Sequence, residues 1–514
     1  MIPAASRASG CNAFDAQAAI ERFLKASKRP ALLEPGEPMI ALVNDNFSLE
    51  FRNSRLMLQA WDEHRNLVRR VLGIVEDSRG KLSLTVEKFA RKEGEIFLID
   101  LAQPSTKEWE RTGSRLVFRE RFRLFLSRQF PDWTISGIST DANLQHSLSP
   151  VYARALLRRG SAALAAIGAG PDVADTSGIL SFGLIWLDYA RRRQRRTTVD
   201  GLAILLPAGQ ERATSLRLPF LDQRAGRFEI FTYSEQDYAA RLDPKDYGNV
   251  ATALEPCRRP ALPNSDRANA SLGGLRAIPG FERIEKTDGS FSLRIRGIEF
   301  ARMHGNRSSV GLQSRAPTSD FDPREAESLA SEIARMRSAG AEDRENPLYR
   351  QDPEAWLESC VREGIETVDA SLLPVPVYGQ VPAFAGGERG IIDLLSIDTA
   401  GRLAVLELKA TADLHLPMQA LDYWMRVKAH LDREEFAAHG YFPGAPIRQT
   451  PPRLLLIAPA LEFHPTTESI LRYFHPSIEV ERIGLGANWR SELQVMFRLR
   501  GAERPSPVYT TVPG

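Results

Sequence analysis

The segment GGERGIIDLLSIDTAGRLAVLELKATADLHLPMQALDYW, Gly386 to Trp424, constrains the fold more than any other part of the chain. Ile391 to Ile397 is β-prone and apolar except at Asp393 and Ser396. Asp398-Thr399-Ala400-Gly401 is a turn sequence, with glycine free to take the backbone that a reversal needs. Arg402 to Lys409 is a second apolar strand, and it carries Glu407 and Lys409. A hairpin closed at 398–401 sets Asp393 opposite Leu406 or Glu407, and only the second register puts both carboxylates on one face. Glu407 and Lys409 share a face in either register, because strand side chains repeat every two residues.

Charged groups on buried strands are costly unless they are paired, and two adjacent carboxylates also repel one another. A divalent cation relieves both problems, and hard oxygen ligands suit Mg²⁺ or Mn²⁺. Such an ion would stabilise charge on a scissile phosphate and lower the pKa of a bound water. Lys409 could orient that water or stabilise the developing charge. The competing reading is a structural salt-bridge cluster at a sheet edge. Against it, one lysine between two carboxylates leaves a net negative site. Lysine is scarce here, with 10 against 57 arginines, so its place in the pattern is informative.

With Asp393, a gap of thirteen residues and then Glu407-Leu408-Lys409, the segment resembles the PD-(D/E)XK nuclease superfamily. The resemblance extends on both sides. Downstream, Gln419-Ala420-Leu421-Asp422-Tyr423 looks like the QxxxY element of the RecB-like branch, with Gln419 and Tyr423 on one helix face. Upstream, PEAWLESCVREGIETVD (Pro353 to Asp369) looks like the leading helix and first strand, and Glu358, with Glu354 as the alternative, looks like the helix acid that completes the metal site. PRLLLIAPAL (Pro452 to Leu461) looks like the next buried strand, a layout similar to NucS-like nucleases. The resemblance covers about 150 residues of 514. It implies a restriction-endonuclease-like domain, a mixed central sheet flanked by helices, that hydrolyses phosphodiesters, of DNA rather than RNA. In that reading Asp393, Glu407 and Glu358 serve the metal, Lys409 the nucleophilic water, and Gln419 and Tyr423 the orientation of strand or lysine. A catalytically silent nucleic-acid-binding scaffold on the same fold is the alternative.

A chain of 514 residues exceeds one ordinary domain, and 43% hydrophobic with 26% charged residues is a globular balance. The expectation is a multidomain α/β protein. Residues 1–38 read as an extension and 39–110 as an α/β subdomain with a helix at Met57 to Leu72. Residues 111–256 read as an α/β domain, 257–345 as a linker with a hairpin and a helix, 346–500 as the nuclease-like domain, and 501–514 as a tail. An internal echo links the halves. LAAIGA falls over VLELKA, IWLDYARR over QALDYWMR and LAILLPAG over LLLIAPAL, while FRERFRLFLSRQFPDWTI falls over the leading helix and strand. On that alignment Ala166, Gly168 and Ile185 stand where Glu407, Lys409 and Gln419 do, as in a degenerate copy without metal ligands.

The net charge of +2 does not by itself announce a nucleic-acid binder. Arginines nevertheless cluster at Arg191, Arg192, Arg193, Arg195 and Arg196, and Arg158 and Arg159 sit at a hairpin turn. Arginine forks suit phosphate oxygens, although a solvated helix end is the plainer reading of such a run. The expected partners are nucleic acid and a second copy of the chain in a homodimer, with no membrane. Three distant cysteines and the absence of a signal-peptide pattern give a reducing, cytoplasmic compartment as the expectation. His415 lies between Lys409 and Gln419, within possible reach of substrate. No P-loop, HExxH, GxSxG or Rossmann glycine pattern is present.

Overall fold

The computed structural model describes residues 13–34, 40–43, 46–52, 55–61, 66–78, 81–87, 93–100, 110–171, 173–194, 197–234, 239–247, 252–257, 272–285, 290–304, 307–312, 319–385 and 388–501. It is a mixed α/β protein with four sheets, and the chain divides into two units. The described residues of Met1–Glu211 and Glu229–Arg241 belong to the first, and those of Arg212–Phe228 and Leu242–Pro507 to the second.

In the first unit, β1 (Pro30–Leu33), β2 (Ile40–Ala41), β3 (Phe47–Arg52), β4 (Arg55–Trp61), β5 (Asn66–Ser78), β6 (Lys81–Glu87) and β7 (Glu93–Asp100) form a sheet in the order β2-β1-β7-β6-β5-β4-β3. Every pairing in it is antiparallel. The helix expected at Met57 to Leu72 is absent, and β4 and β5 stand in its place. Leu56, Leu58 and Ala60 are buried while their neighbours are not, a period of two that fits a pleated strand and no helix. The helix Ala13–Ala26 covers the sheet with Ala16, Ala19, Ile20 and Phe23.

The second sheet holds β8 (Thr134–Ser139), β9 (Tyr152–Arg159), β10 (Ala162–Ala169), β11 (Thr198–Pro207), β12 (Arg227–Tyr233) and β13 (Ala239–Leu242) in the order β13-β12-β11-β10-β9-β8. β8 to β10 run antiparallel and β10 pairs with β11 in parallel, after the crossover helix Ile179–Arg193. The helix Glu110–Gln129 precedes β8 and buries Phe118, Phe122, Phe125 and Leu126 against the sheet.

In the second unit, β14 (Thr252–Leu254) is the edge of the sheet that carries the motif residues. Its drawing into this unit, together with Arg212–Phe228, moves the boundary away from the expected 256. β15 (Phe281–Glu285), β16 (Phe291–Ile295), β17 (Ile298–His304), β18 (Arg307–Val310) and β19 (Ser319–Asp320) form a five-stranded sheet. Helix Pro323–Met336 closes it over a core that includes Leu293, Ile295, Phe300, Ala330 and Ile333. These strands and this helix lie in the region expected to be a linker with a hairpin and a helix, of which residues 258–271, 286–289, 305–306 and 313–318 lie outside the described residues.

The remaining strands are β20 (Tyr378–Ala385), β21 (Glu388–Ile397), β22 (Leu403–Leu408), β23 (Arg453–Pro459), β24 (Val480–Leu485) and β25 (Val495–Arg500), in the order β14-β20-β21-β22-β23-β24-β25. β20 to β22 are antiparallel, β22 to β24 parallel, and β25 antiparallel. Helix Leu416–Asp432 makes the crossover from β22 to β23, and helix Pro353–Glu363 precedes the sheet. Pro353 to Asp369 was expected to end in the first strand, but Ile365–Val368 is a helical turn and the first strand is β20. Among the described residues no helix is long and apolar enough to cross a membrane.

The second sheet and this one read alike. In each, a helix leads into three antiparallel strands, a helical crossover leads to a strand parallel to the third, and the sheet continues outward in chain order, with β14 an added edge of this one.

Candidate active site

The hairpin turn behaves as its sequence requires. Asp398 Oδ1 accepts the Ala400 and Arg402 N–H groups at 2.9 and 2.8 Å, and Gly401 sits at φ +86°. A Cβ on Gly401 would meet the Pro446 carbonyl oxygen at 2.1 Å, so no other residue fits. Leu394 faces Leu406 across the hairpin, and continuing that register brings Asp393 beside Glu407. This resolves the one-residue choice that the sequence leaves open, and both carboxylates occupy one face. There the backbone ladder gives way to a side chain: the Leu408 N–H donates to Asp393 Oδ2 at 2.9 Å.

Glu407 is 2% exposed and its Oε2 has no hydrogen-bond partner. Lys409 Nζ lies 3.7 Å from Glu407 Oε1 and 3.5 Å from Glu354 Oε2. Burial, followed by the charge of Asp393, raises the Glu407 carboxyl well above its ordinary value against the pull of Lys409. Burial likewise pushes Asp393 up to about 6, opposed by the Leu408 N–H and by Lys409. Burial disfavours the Lys409 ammonium, but Glu407, Glu354, Asp393 and Asp413 outweigh it and hold its pKa above the usual lysine value. The group is thus a buried acid pair with one cation and an excess of negative charge.

The helix Pro353–Glu363 divides its two acids. Glu354 reaches Lys409, whereas the buried Glu358 pairs with Arg362 one turn on. Arg362 also bonds Glu282 of β15 at 3.2 Å. Burial pushes Glu358 up to about 7, with Arg362 opposing and Asp393 adding to the rise. On the crossover helix, Gln419 Oε1 is buried without a hydrogen-bond partner. Burial, then the charges of Glu407 and Asp393, raise the Tyr423 phenol, so it too shares the field of the acid pair. Arg426 lies 5.6 Å from the Tyr423 ring centroid. Arg217 anchors the same helix through two bonds to Asp422, of 2.8 and 2.6 Å.

Sequence reasoning missed Arg362, Asp413 and Arg217. The i,i+4 spacing of Glu358 and Arg362 was a usable signal. Arg217 left none, since it lies 205 residues from its partner. His415 begins the crossover helix, with its N–H donating to Asp413 Oδ1 at 2.7 Å.

Of the arginine run, the structure describes Arg191, Arg192 and Arg193. Arg191 is 2% exposed and donates Nε–H to the Val199 carbonyl at 3.0 Å, so packing holds it away from solvent. Arg192 pairs with Asp188 at 3.0 Å, and Arg193 donates to the Tyr189 hydroxyl at 2.5 Å. Arg195 and Arg196 lie outside the described residues.

The residues matched by the internal echo are apolar in the first unit. Ala166 is the fifth residue of β10, as Glu407 is of β22. A Cβ on Gly168 would meet Phe122 and Phe118 at 3.0 and 3.1 Å. The position matching Lys409 is therefore packed against phenyl rings, and the one matching Glu407 lies in the same apolar cluster.

Among the described residues, no three His, Cys, Asp or Glu side chains are arranged to hold a metal by themselves. The Asp393–Glu407 pair still fits a hard cation, because a buried carboxylate oxygen lacks a partner and the local charge is negative. Water and substrate oxygens would have to complete the shell. Neither a scan against protein-family models nor a search of curated proteins finds a match to this chain.

Proposed function

We propose that the second unit is a metal-dependent nuclease of the PD-(D/E)XK type, acting on DNA rather than RNA. The observation that carries this reading is Glu407, buried beside Asp393 with an unpartnered oxygen and with Lys409 as the neighbouring ammonium. The pair lies where the parallel strands end, the usual place for ligands in α/β sheets.

Asp393 and Glu407 would hold Mg²⁺ or Mn²⁺, which supplies charge neutralisation at the phosphate and an acidified water. Lys409, kept protonated by the surrounding carboxylates, orients the attacking water and stabilises the charge gathering on the phosphoryl oxygens. Its contact with Glu354 favours that residue over Glu358 as the helix acid nearest the chemistry. Glu358 is engaged by Arg362, which also ties the acidic helix to Glu282 of β15. Gln419 and Tyr423 bound the site from the crossover helix, where the unpartnered Gln419 oxygen can accept a hydrogen bond from Lys409 or from substrate.

The second reading, a catalytically silent nucleic-acid-binding scaffold, is favoured for the first unit by the phenyl rings packed against Gly168. Incubation with single-stranded, duplex and branched DNA and with RNA, in Mg²⁺, Mn²⁺ or EDTA, separates the readings. Metal-dependent cleavage of DNA supports the nuclease. Binding without cleavage under every metal supports the scaffold for the whole chain.

A further inference from the structure

The helix Pro353–Glu363, which carries Glu354 and Glu358, is held at both ends by the five-stranded sheet and its helix Pro323–Met336. At its start stands Arg337, fully buried, with its guanidinium turned to four backbone carbonyls. Nε donates to Arg296 at 2.9 Å, Nη1 to Leu348 at 2.8 Å and to Gln351, and Nη2 to Asp352 at 2.7 Å. The same guanidinium lies 4.8 Å from the Trp356 ring centroid. Burial lowers the Arg337 pKa to about 10, which leaves it a cation at neutral pH. Asp352, at φ +42°, caps the helix: its Oδ1 accepts the Ala355 N–H at 2.9 Å and its carbonyl the Trp356 N–H at 3.4 Å.

The turn between β16 and β17 presses on the same place. Arg296 and Gly297 sit at φ +45° and +85°, as a two-residue hairpin turn needs, and a Cβ on Gly297 would meet the Ala355 carbonyl oxygen at 2.4 Å. Arg296 Nη1 donates in turn to the Ala334 and Arg337 carbonyls, at 2.9 and 2.6 Å. At the other end of the acidic helix, Arg362 joins Glu358 to Glu282 of β15.

We propose that this sheet and helix clamp the acidic helix, with Arg337 the positioning residue that sets Glu354 against Lys409. Glu354 follows Asp352 by two residues and reaches Lys409 at 3.5 Å, so a shift of the Asp352 carbonyl is passed to it within one turn. A buried guanidinium is costly unless its N–H groups are bonded, and carbonyls from two stretches of chain converge here on one planar fork that an ammonium cannot copy. The effect on catalysis rests on the nuclease reading of the Asp393–Glu407 site; the clamp itself does not.

The test joins amide hydrogen exchange of the full chain in EDTA to single-turnover cleavage of DNA in Mn²⁺. In Arg337→Lys, and in Gly297→Ala, which acts on the same turn from the hairpin, the Ala355 and Trp356 amides are expected to exchange about tenfold faster or more, while β22 and β23 keep their protection. Cleavage at saturating DNA is expected to fall about 10²-fold in Arg337→Lys, with the half-saturating DNA concentration unchanged. Adding Arg337→Lys to Glu354→Gln should deepen the loss little, because the arginine acts through that carboxylate. Unchanged exchange at both amides in the folded variants would overturn the clamp. Full cleavage by Arg337→Lys, or losses that multiply in the combined variant, would overturn the positioning role. Loss of protection throughout the unit in both variants would overturn it too, by making these contacts determinants of the fold alone. No cleavage by the unaltered chain would overturn the nuclease reading instead, and exchange would then decide the clamp by itself.

Discussion

At the scale of single residues, Lys409 shows how much position decides. Its ammonium is within 4 Å of two carboxylates, in a space that suits a compact point charge better than a planar fork. Lys409→Ala is expected to lower single-turnover cleavage by about 10²–10³-fold with the fold intact, and Lys409→Arg should not restore it. Cleavage at the original rate by Lys409→Ala would remove the lysine from the chemistry. The carboxylates make a separate prediction. Asp393 is held at about 6 in the folded chain against an ordinary 3.8, and Glu407 is raised as well. Between those limits the folded state binds more protons than the unfolded one, so these groups destabilise the chain as pH rises from about 4 to about 6. In EDTA, melting temperatures of Glu407→Gln should therefore fall less over that window than those of the unaltered chain. Identical pH profiles would show that the pair carries no such linkage.

At the scale of elements, the hairpin was legible because its signals are local. Turn residues, strand alternation and a helix with paired polar positions all lie within 39 residues of sequence. The register was not legible, since alternation alone cannot separate Leu406 from Glu407 as the partner of Asp393. The Met57 to Leu72 error has a similar origin, because short apolar runs fit either period until neighbouring strands are known. Long-range polar contacts were wholly hidden. Asp369, Arg453, Glu481 and Arg498 form a half-buried network at the opposite end of the parallel strands, with Arg453 Nη2 2.8 Å from Glu481 Oε1. Burial raises Asp369, but bonds from Ser371 and Arg453 overcome it and bring its pKa to about 2. That contribution to stability is present above about pH 4 and is lost as pH falls through about 2. Arg453→Leu would leave Arg498 as the remaining guanidinium that bridges both carboxylates, and is expected to cost about 3 kcal/mol, read by urea unfolding at neutral pH. A cost below about 1 kcal/mol would mean that the network contributes little.

At the scale of the whole molecule, two sheets share one connectivity but not one chemistry. The echo was readable in the order of apolar strings and the LDY helices, and the pairings carry it further, through β8 to β11 and β20 to β23. What no string comparison could show is that Phe118 and Phe122 occupy the space beside Gly168. Gly168→Ala is accordingly expected to destabilise the first unit by about 1–3 kcal/mol through overpacking, measurable by chemical denaturation. A neutral effect would mean that the rings move aside easily.

Calorimetric titration of the full chain with Mn²⁺ at neutral pH decides whether the Asp393–Glu407 pair is a cation site. Binding of a single ion per chain is expected, with proton release, because burial raises both carboxyl groups and the cation favours their ionised forms. Glu407→Gln and Asp393→Asn should each abolish that binding while leaving the chain folded. Binding that persists undiminished in both variants, or no binding by the unaltered chain, would contradict the claim.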